Sequence, residues 1–243
     1  MLKKIIYYFT SILAHYHEQK IINKLNLLNL DPKIILDVGA HIGEMTQIFL
    51  KNFINVNKIY CFEPQKEIYS SLKNKFKKNP KVVCINKACS DKTTVSKFNI
   101  SFHRRSSSLE EINTNNFYHK IKSFIVLGKI RDLLSRTVKI RTITLDKFLK
   151  NRKLSIDLLK IDVEGSELKV LKGCKKNIKN IKVILIEILN HNLIKDYSRE
   201  DIFCFFKKNN FELYNICKFP FYHFEDRIYI NRKFFTKGIL GNV

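Results

Sequence analysis

Five carboxylates in this chain sit where carboxylates are costly, at the ends of apolar runs. Ile34-Ile35-Leu36 leads into Asp37, and Ile59-Tyr60-Cys61-Phe62 into Glu63. Leu158-Leu159-Lys160-Ile161 leads into Asp162 with Glu164 two residues on, and Val183-Ile184-Leu185-Ile186 into Glu187. An isolated carboxylate is expensive to bury, so acids embedded in this way need a partner, a metal or a cationic ligand. As chemistry, such a group offers a general base for a hydroxyl or a set of hard oxygen ligands for a divalent ion such as Mg²⁺. Asp162 is the first choice for base or metal ligand and Glu187 the second. Glu164 is expected to orient a substrate or to cap the helix that follows. The bland alternative for each acid is a helix N-cap or a salt bridge, with Lys160 as a partner.

The runs that carry these acids read as buried parallel strands. Asp37-Val38-Gly39-Ala40-His41-Ile42-Gly43 ends the first of them in a glycine turn, and Met45, Ile48, Phe49 and Phe53 follow at helical spacing. Ligands of open α/β sheets bind at the carboxyl ends of strands. A dinucleotide turn would need glycines where this chain has His41 and Glu44, and an anion there opposes a pyrophosphate. S-adenosylmethionine, which has no phosphate and carries a sulfonium and an ammonium, suits the turn better. Gly39 would let backbone approach its methionine part, and Asp37 would favour its ammonium. Glu63, 26 residues after Asp37, is placed to bind ribose hydroxyls. Lys81 to Ala88 reads as a third strand, with Ser90-Asp91 turning near where adenine should lie. For Asp91 a surface turn is an equal reading; for the glycine motif the competing reading is an ordinary βα turn. Ser166 is expected to cap the helix after Gly165.

Asp37-Val38-Gly39-Ala40-His41-Ile42-Gly43, Phe62-Glu63-Pro64, Thr144-Leu145-Asp146, Leu159-Lys160-Ile161-Asp162-Val163-Glu164-Gly165 and Ile186-Glu187 occur in the order seen in FkbM-type methyltransferases, which this chain resembles from about Pro32 to Arg232. The resemblance implies a class I methyltransferase fold, a Rossmann-like three-layer α/β sandwich. Its sheet has seven mostly parallel strands and an antiparallel C-terminal strand. It also implies S-adenosylmethionine-dependent O-methylation of a hydroxyl on a sugar, glycan or secondary metabolite. By the same resemblance Asp37, Gly39, Ala40 and Gly43 frame the cofactor, Glu63 holds the ribose and Asp91 lies near the adenine. Many relatives carry a His soon after the acid matching Glu187. Here Ile188-Leu189-Asn190 follows and His191 comes later.

The remaining sequence sets the organisation. With 243 residues and 45% hydrophobic content, one sizeable core is expected and global disorder is not. The division expected is a helical lead-in over 1–30 and a single methyltransferase domain over 31–243, with a substrate or lid insertion at about 101–136. His103, Arg104 and Arg105 in that insertion could meet an anionic substrate group, and a helix is expected near Ile121 to Leu134. The net charge of +23 suits a polyanion, but Lys is spread along the whole chain, so a compositional origin is favoured and no specific nucleic acid is expected. A nucleic-acid methyltransferase stays an alternative, weakened by the absence of Pro-Pro and of Pro-Cys. A silent glycan- or lipid-binding module on the same fold is the other. The six cysteines form no C-x-x-C pair, which fits reduced thiols in a cytoplasmic protein. The first apolar run, Ile5 to Ala14, is too short to span a bilayer. A helix packed on the domain is preferred over one lying on a membrane surface. Ser198 and Asp201 suggest a capping box before a helix over Arg199 to Asn210. Phe211 to Cys217 and Asp226 to Asn231 read as an antiparallel strand pair, with Phe219, Phe221 and Tyr222 as rim packing between them.

Overall fold

A computed structural model describes residues 2–101, 107–110, 134–152, 154–189, 194–195, 197–219 and 224–235. The expectations for His103, Arg104, Arg105, the helix near 121–134, Asn190, His191, Phe221 and Tyr222 fall outside these residues, apart from Leu134 itself.

The chain opens with helix α1 (Leu2–Asn26) and then alternates strands and helices. These are β1 (Ile34–Val38), α2 (Glu44–Asn52), β2 (Lys58–Phe62), α3 (Lys66–Phe76), β3 (Val82–Ile85) and β4 (Ala88–Cys89). Next come β5 (Val95–Ser101), β6 (Leu134–Ile143), α4 (Leu145–Leu149), β7 (Ile156–Ile161) and α5 (Glu167–Lys172). β8 (Ile181–Leu189), α6 (Arg199–Lys208), β9 (Phe211–Lys218) and β10 (Phe224–Asn231) follow. Seven strands form one sheet in the order β3-β2-β1-β7-β8-β10-β9. β1, β2, β3, β7 and β8 pair in parallel, and β10 runs antiparallel to both β8 and β9. This is the class I methyltransferase arrangement. The strand order reverses between β1 and β7, the place where open α/β sheets hold ligands.

Period-two side-chain alternation sends each strand's apolar residues to two separate cores. Leu36, Phe62, Leu159, Ile161, Ile184 and Ile186 pack with Phe148 of α4, Leu171 of α5 and Phe206 of α6. Ile35, Ile59, Leu158, Val183, Leu185 and Ile228 pack with Leu25 of α1, Phe49 of α2 and Leu72 of α3. Three layers result. α1 therefore shares the domain's core through Ile21, Ile22 and Leu25, joined by Leu28 just beyond its end. In the turn that follows its end at Asn26, Asn29 takes a left-handed φ of 49°, a conformation Asn tolerates.

The third strand differs from expectation. Lys81 to Ala88 divides at Asn86, whose amide donates to the carbonyl oxygens of Glu63 and Pro64 at 2.9 and 3.0 Å. β3 stays in the main sheet, while β4 joins β6 and β5 in a second, three-stranded sheet. β5 has no counterpart among the sequence-based expectations. Its Phe98 and Ile100 pack with Ile140 of β6. β6 begins at Leu134. All six cysteines are free thiols.

At the amino edge of the sheet Asp157 has a purely structural task. Its carboxylate accepts from the backbone N–H of Lys33 and Ile34 at 2.8 and 2.9 Å and pairs with Lys182 at 2.7 Å. The acids singled out in the sequence sit at the opposite edge, at or near the strands' carboxyl ends.

Candidate active site

β1 ends in a turn whose backbone N–H groups at Gly39 and Ala40 both donate to the carbonyl of Phe62, at 3.1 and 3.0 Å. Gly39 has φ 79°, and a Cβ there would stand 1.8 Å from the carbonyl oxygen of Asp162. The missing side chain thus lets the β1 turn press against the end of β7. Gly43 caps α2 at φ 79°. Its Cβ would strike Phe76 and Leu72 of α3 at 2.4 and 2.8 Å, so it packs two helices together. His41 takes φ 49°. Its backbone N–H donates to Glu63 at 3.1 Å, and its Nδ1 lies 3.1 Å from Glu44.

Glu63 is buried and also accepts from the backbone N–H of Gln65 at 2.8 Å. Burial pushes its carboxyl up to about 7, against the pull of those N–H groups and of His41. Asp91 is exposed and accepts from the Ser90 hydroxyl at 3.1 Å.

Lys160 is the hub beneath the turn. Its ammonium donates to the carbonyl of Gly39 at 2.9 Å and stands 3.2 Å from both Asp37 Oδ1 and Asp162 Oδ2. Burial alone would lower this lysine; Asp162 and Asp37 outweigh it and raise it. Asp37 is 0% exposed, and its Oδ2 accepts from the Thr46 hydroxyl at 2.6 Å. The ammonium that Asp37 faces within the chain is that of Lys160. Asp37 shares that lysine with Asp162 and holds the turn from below.

Asp162, Glu164 and Glu187 come together. One carboxylate oxygen from each lies within 4.8 Å of the others. Glu164 reaches this point by taking φ 55°, and Gly165 follows at φ 104°. Burial, then Asp162, Glu164, Asp226 and Glu167, push the Glu187 carboxyl well above the usual carboxylate range. Glu167 accepts from the backbone N–H of Gly165 and Val163 at 3.0 and 3.3 Å, and burial pushes it up to about 8. Ser166 does not cap α5 with its side chain. Its hydroxyl donates instead to Glu110 at 2.8 Å, and Glu110 also pairs with Lys169 at 2.8 Å.

Sequence reasoning missed two members of this edge. Asp226 of β10 is the register partner of Glu187, and His17 of α1 places its Nε2 2.7 Å from Asp226 Oδ2. The signal for Asp226 is its alternation with Ile228 and Ile230. For His17 it is the helical spacing of four and eight residues to Ile21 and Leu25.

The fold is that of the class I methyltransferases. The "Methyltransferase FkbM domain" pattern matches residues 37–213, and the chain belongs to that family. Among solved structures, it is similar to the methyltransferase FkbM from Methylobacillus flagellatus KT, at 14% identity and TM-score 0.51. That match covers 82% of this chain and 44% of the other, so the present chain spans less than half of that relative's length. The magnesium protoporphyrin IX methyltransferase from Synechocystis PCC 6803, a structure with bound S-adenosylmethionine, is similar at 7% identity and TM-score 0.51, covering 90% and 80% of the two chains. An rRNA methylase from Streptococcus thermophilus is a looser match, at 10% identity and TM-score 0.47, covering 86% and 93%. No curated protein matches the chain. Among the described residues no helix is long and apolar enough to cross a membrane.

Proposed function

We propose that the chain is an S-adenosylmethionine-dependent O-methyltransferase acting on a hydroxyl of a sugar, glycan or secondary metabolite. The observation that carries this reading is the gathering of Asp162, Glu164 and Glu187 within 4.8 Å, on the edge where the Gly39 turn meets β7. A carboxylate-lined edge repels a pyrophosphate and suits a sulfonium and an ammonium. The donor set therefore fits this cofactor better than a dinucleotide. Gly39, Ala40 and Gly43 would frame it. Glu63 accepts two backbone N–H groups, and its oxygens keep further acceptor capacity for ribose hydroxyls. Asp91 would lie at the adenine end.

When bound, the cofactor supplies an electrophilic methyl carbon to an acceptor oxygen held in line with it. The protein's share is alignment and removal of the hydroxyl proton. We assign the proton to Glu187 rather than to Asp162. Asp162 shares the Lys160 ammonium with Asp37, each at 3.2 Å, whereas half-buried Glu187 stands among carboxylates that raise its affinity for a proton, so in its ionised form it is the stronger base. Asp162 and Glu164 then orient the acceptor. The same three carboxylates are hard oxygen ligands of the kind Mg²⁺ takes. An ion held by Asp162, Glu164 and Glu187 would acidify the acceptor hydroxyl.

Calorimetry with S-adenosylhomocysteine tests the cofactor. Binding near the micromolar range, roughly 7–8 kcal/mol, is expected, and Glu63→Ala should weaken it. Tight NAD binding without S-adenosylhomocysteine binding would overturn the reading. Mass spectrometry of the host's polysaccharides and glycolipids, with and without the gene, should reveal the missing methyl group and with it the acceptor.

A further inference from the structure

His17 lies on the stripe of α1 that Ile21 and Leu25 bury against the sheet. It is itself 5% exposed. A buried imidazole facing a carboxylate is a costly way to continue an apolar stripe, and a Leu there would anchor the helix as well or better. The ring is also held in one orientation. Phe219 and Phe224, stacked on each other at 4.6 Å, meet it edge-on at 5.2 and 5.7 Å. That orientation aims Nε2 at Asp226 Oδ2, 2.7 Å away.

The sheet register shows what Asp226 is next to. Leu158, Lys160 and Asp162 alternate onto the α1 face, as do Val183, Leu185 and Glu187, and Asp226, Ile228 and Ile230. Asp226 and Glu187 are direct cross-strand partners. Such partners have Cβ atoms roughly 4.5–5.5 Å apart, and like charges directly opposite one another are destabilising. Asp226 is therefore a fourth carboxylate beside the three-acid cluster. Its hydrogen bond to His17 turns it toward α1. Both His17 and Asp226 lie outside the span 37–213 that the family pattern matches.

We propose that His17 is a positioning residue of the catalytic edge: by holding Asp226 from the N-terminal helix it fixes where Glu187 stands. The proposal rests on Glu187 as proton acceptor in the reading above.

His17→Phe, which fills the aromatic box without a donor, is compared with His17→Gln, whose amide nitrogen reaches the place of Nε2. The assay follows tritiated methyl from S-adenosylmethionine into polysaccharide and glycolipid fractions of a host lacking the gene. His17→Phe should lower kcat roughly tenfold or more, while KM for S-adenosylmethionine and calorimetric affinity for S-adenosylhomocysteine stay within about twofold. His17→Gln should restore most of the rate. A crystal structure of His17→Phe should show the Asp226 carboxylate rotated away from its present place, a readout that needs no acceptor. If His17→Phe does not fold, Asp226→Asn must show the same loss of kcat. Wild-type kcat in a folded His17→Phe or in Asp226→Asn, or an unmoved Asp226 carboxylate, overturns the proposal alone. A wild-type chain that binds no S-adenosylhomocysteine overturns the functional reading and this proposal with it.

Discussion

The ammonium of Lys160 stands 3.2 Å from the fully buried carboxylate of Asp37. Asp37 and Lys160 are register partners on β1 and β7, so this pair ties the two central strands together at the point where strand order reverses. The same ammonium also reaches the Gly39 carbonyl at 2.9 Å. One side chain thereby sets both the glycine turn and, through Asp162, one corner of the acid cluster.

Replacing Lys160 by Met keeps the length and removes the charge. Asp37 would be left buried without its counter-charge, which costs about 3–5 kcal/mol when a buried pair is broken on one side. Urea unfolding should show that loss, and calorimetry should show S-adenosylhomocysteine affinity lost with it. Adding Asp37→Asn to Lys160→Met should recover part of the stability, because the two residues share one interaction.

Gly39→Ala should be more damaging than an ordinary glycine substitution. The new Cβ meets backbone, not a movable side chain, at 1.8 Å, and the φ of 79° is one that L residues rarely adopt. A loss of at least about 2 kcal/mol is expected from such strain. It would be measured by denaturant titration, with cofactor binding abolished in whatever fraction folds. An alanine variant of wild-type stability would show that the turn can separate from β7.

Much of this was legible in the chain. The apolar runs ending in Asp37, Glu63, Asp162 and Glu187 are strands because continuous Val, Ile and Leu fit a sheet covered on both faces. Ser198 accepts from the backbone N–H of Asp201 at the start of α6, as its spacing indicated. What stayed hidden depends on partners distant in sequence. That Lys160 sits between Asp37, 123 residues away (160 minus 37), and Asp162 while also holding the Gly39 carbonyl follows from strand pairing and from no local motif. Ser166 looks like a cap until Glu110 is seen to take its hydroxyl. His17 belongs to no motif, and only the register of β10 against β8 gives it a role.

Two buried acids make stability depend on pH with a defined sign. Glu63 is raised from 4.5 to about 7 and Glu167 from 4.5 to about 8 by burial. Each binds a proton more tightly folded than unfolded. Between the unfolded and folded values the folded state holds more protons, so this contribution falls as pH rises through that window. Wild type should therefore lose stability from pH 5 to pH 8 relative to Glu63→Gln or Glu167→Gln, whose neutral amides do not titrate. Urea unfolding of the three chains at both pH values checks it. Identical pH slopes would show that neither acid is protonated in the folded state.

The net charge of +23 should give weak, sequence-blind binding to duplex DNA that falls steeply with salt. Titrations of labelled duplexes at two salt concentrations measure this. A sequence-selective complex that is tight at physiological salt would move the acceptor class to nucleic acid.

The sharpest test of the site separates its two leading acids. Glu187→Gln and Asp162→Asn each remove a charge while keeping shape. If Glu187 takes the proton, Glu187→Gln should lower turnover by roughly 10²-fold or more, the usual weight of general acid–base catalysis, with S-adenosylhomocysteine affinity little changed. Asp162→Asn should have a mixed effect. It removes the charge of one of the two carboxylates that hold Lys160, so the Gly39 turn loosens and cofactor affinity falls together with rate. Chelation distinguishes a metal. If Asp162, Glu164 and Glu187 hold Mg²⁺, a chelator should abolish wild-type turnover and added Mg²⁺ should restore it in wild type, but not in either variant. Turnover indifferent to chelation, with Glu187→Gln alone inactive, leaves the proton to the carboxylate itself. A Glu187→Gln enzyme as fast as wild type would return the role of base to Asp162.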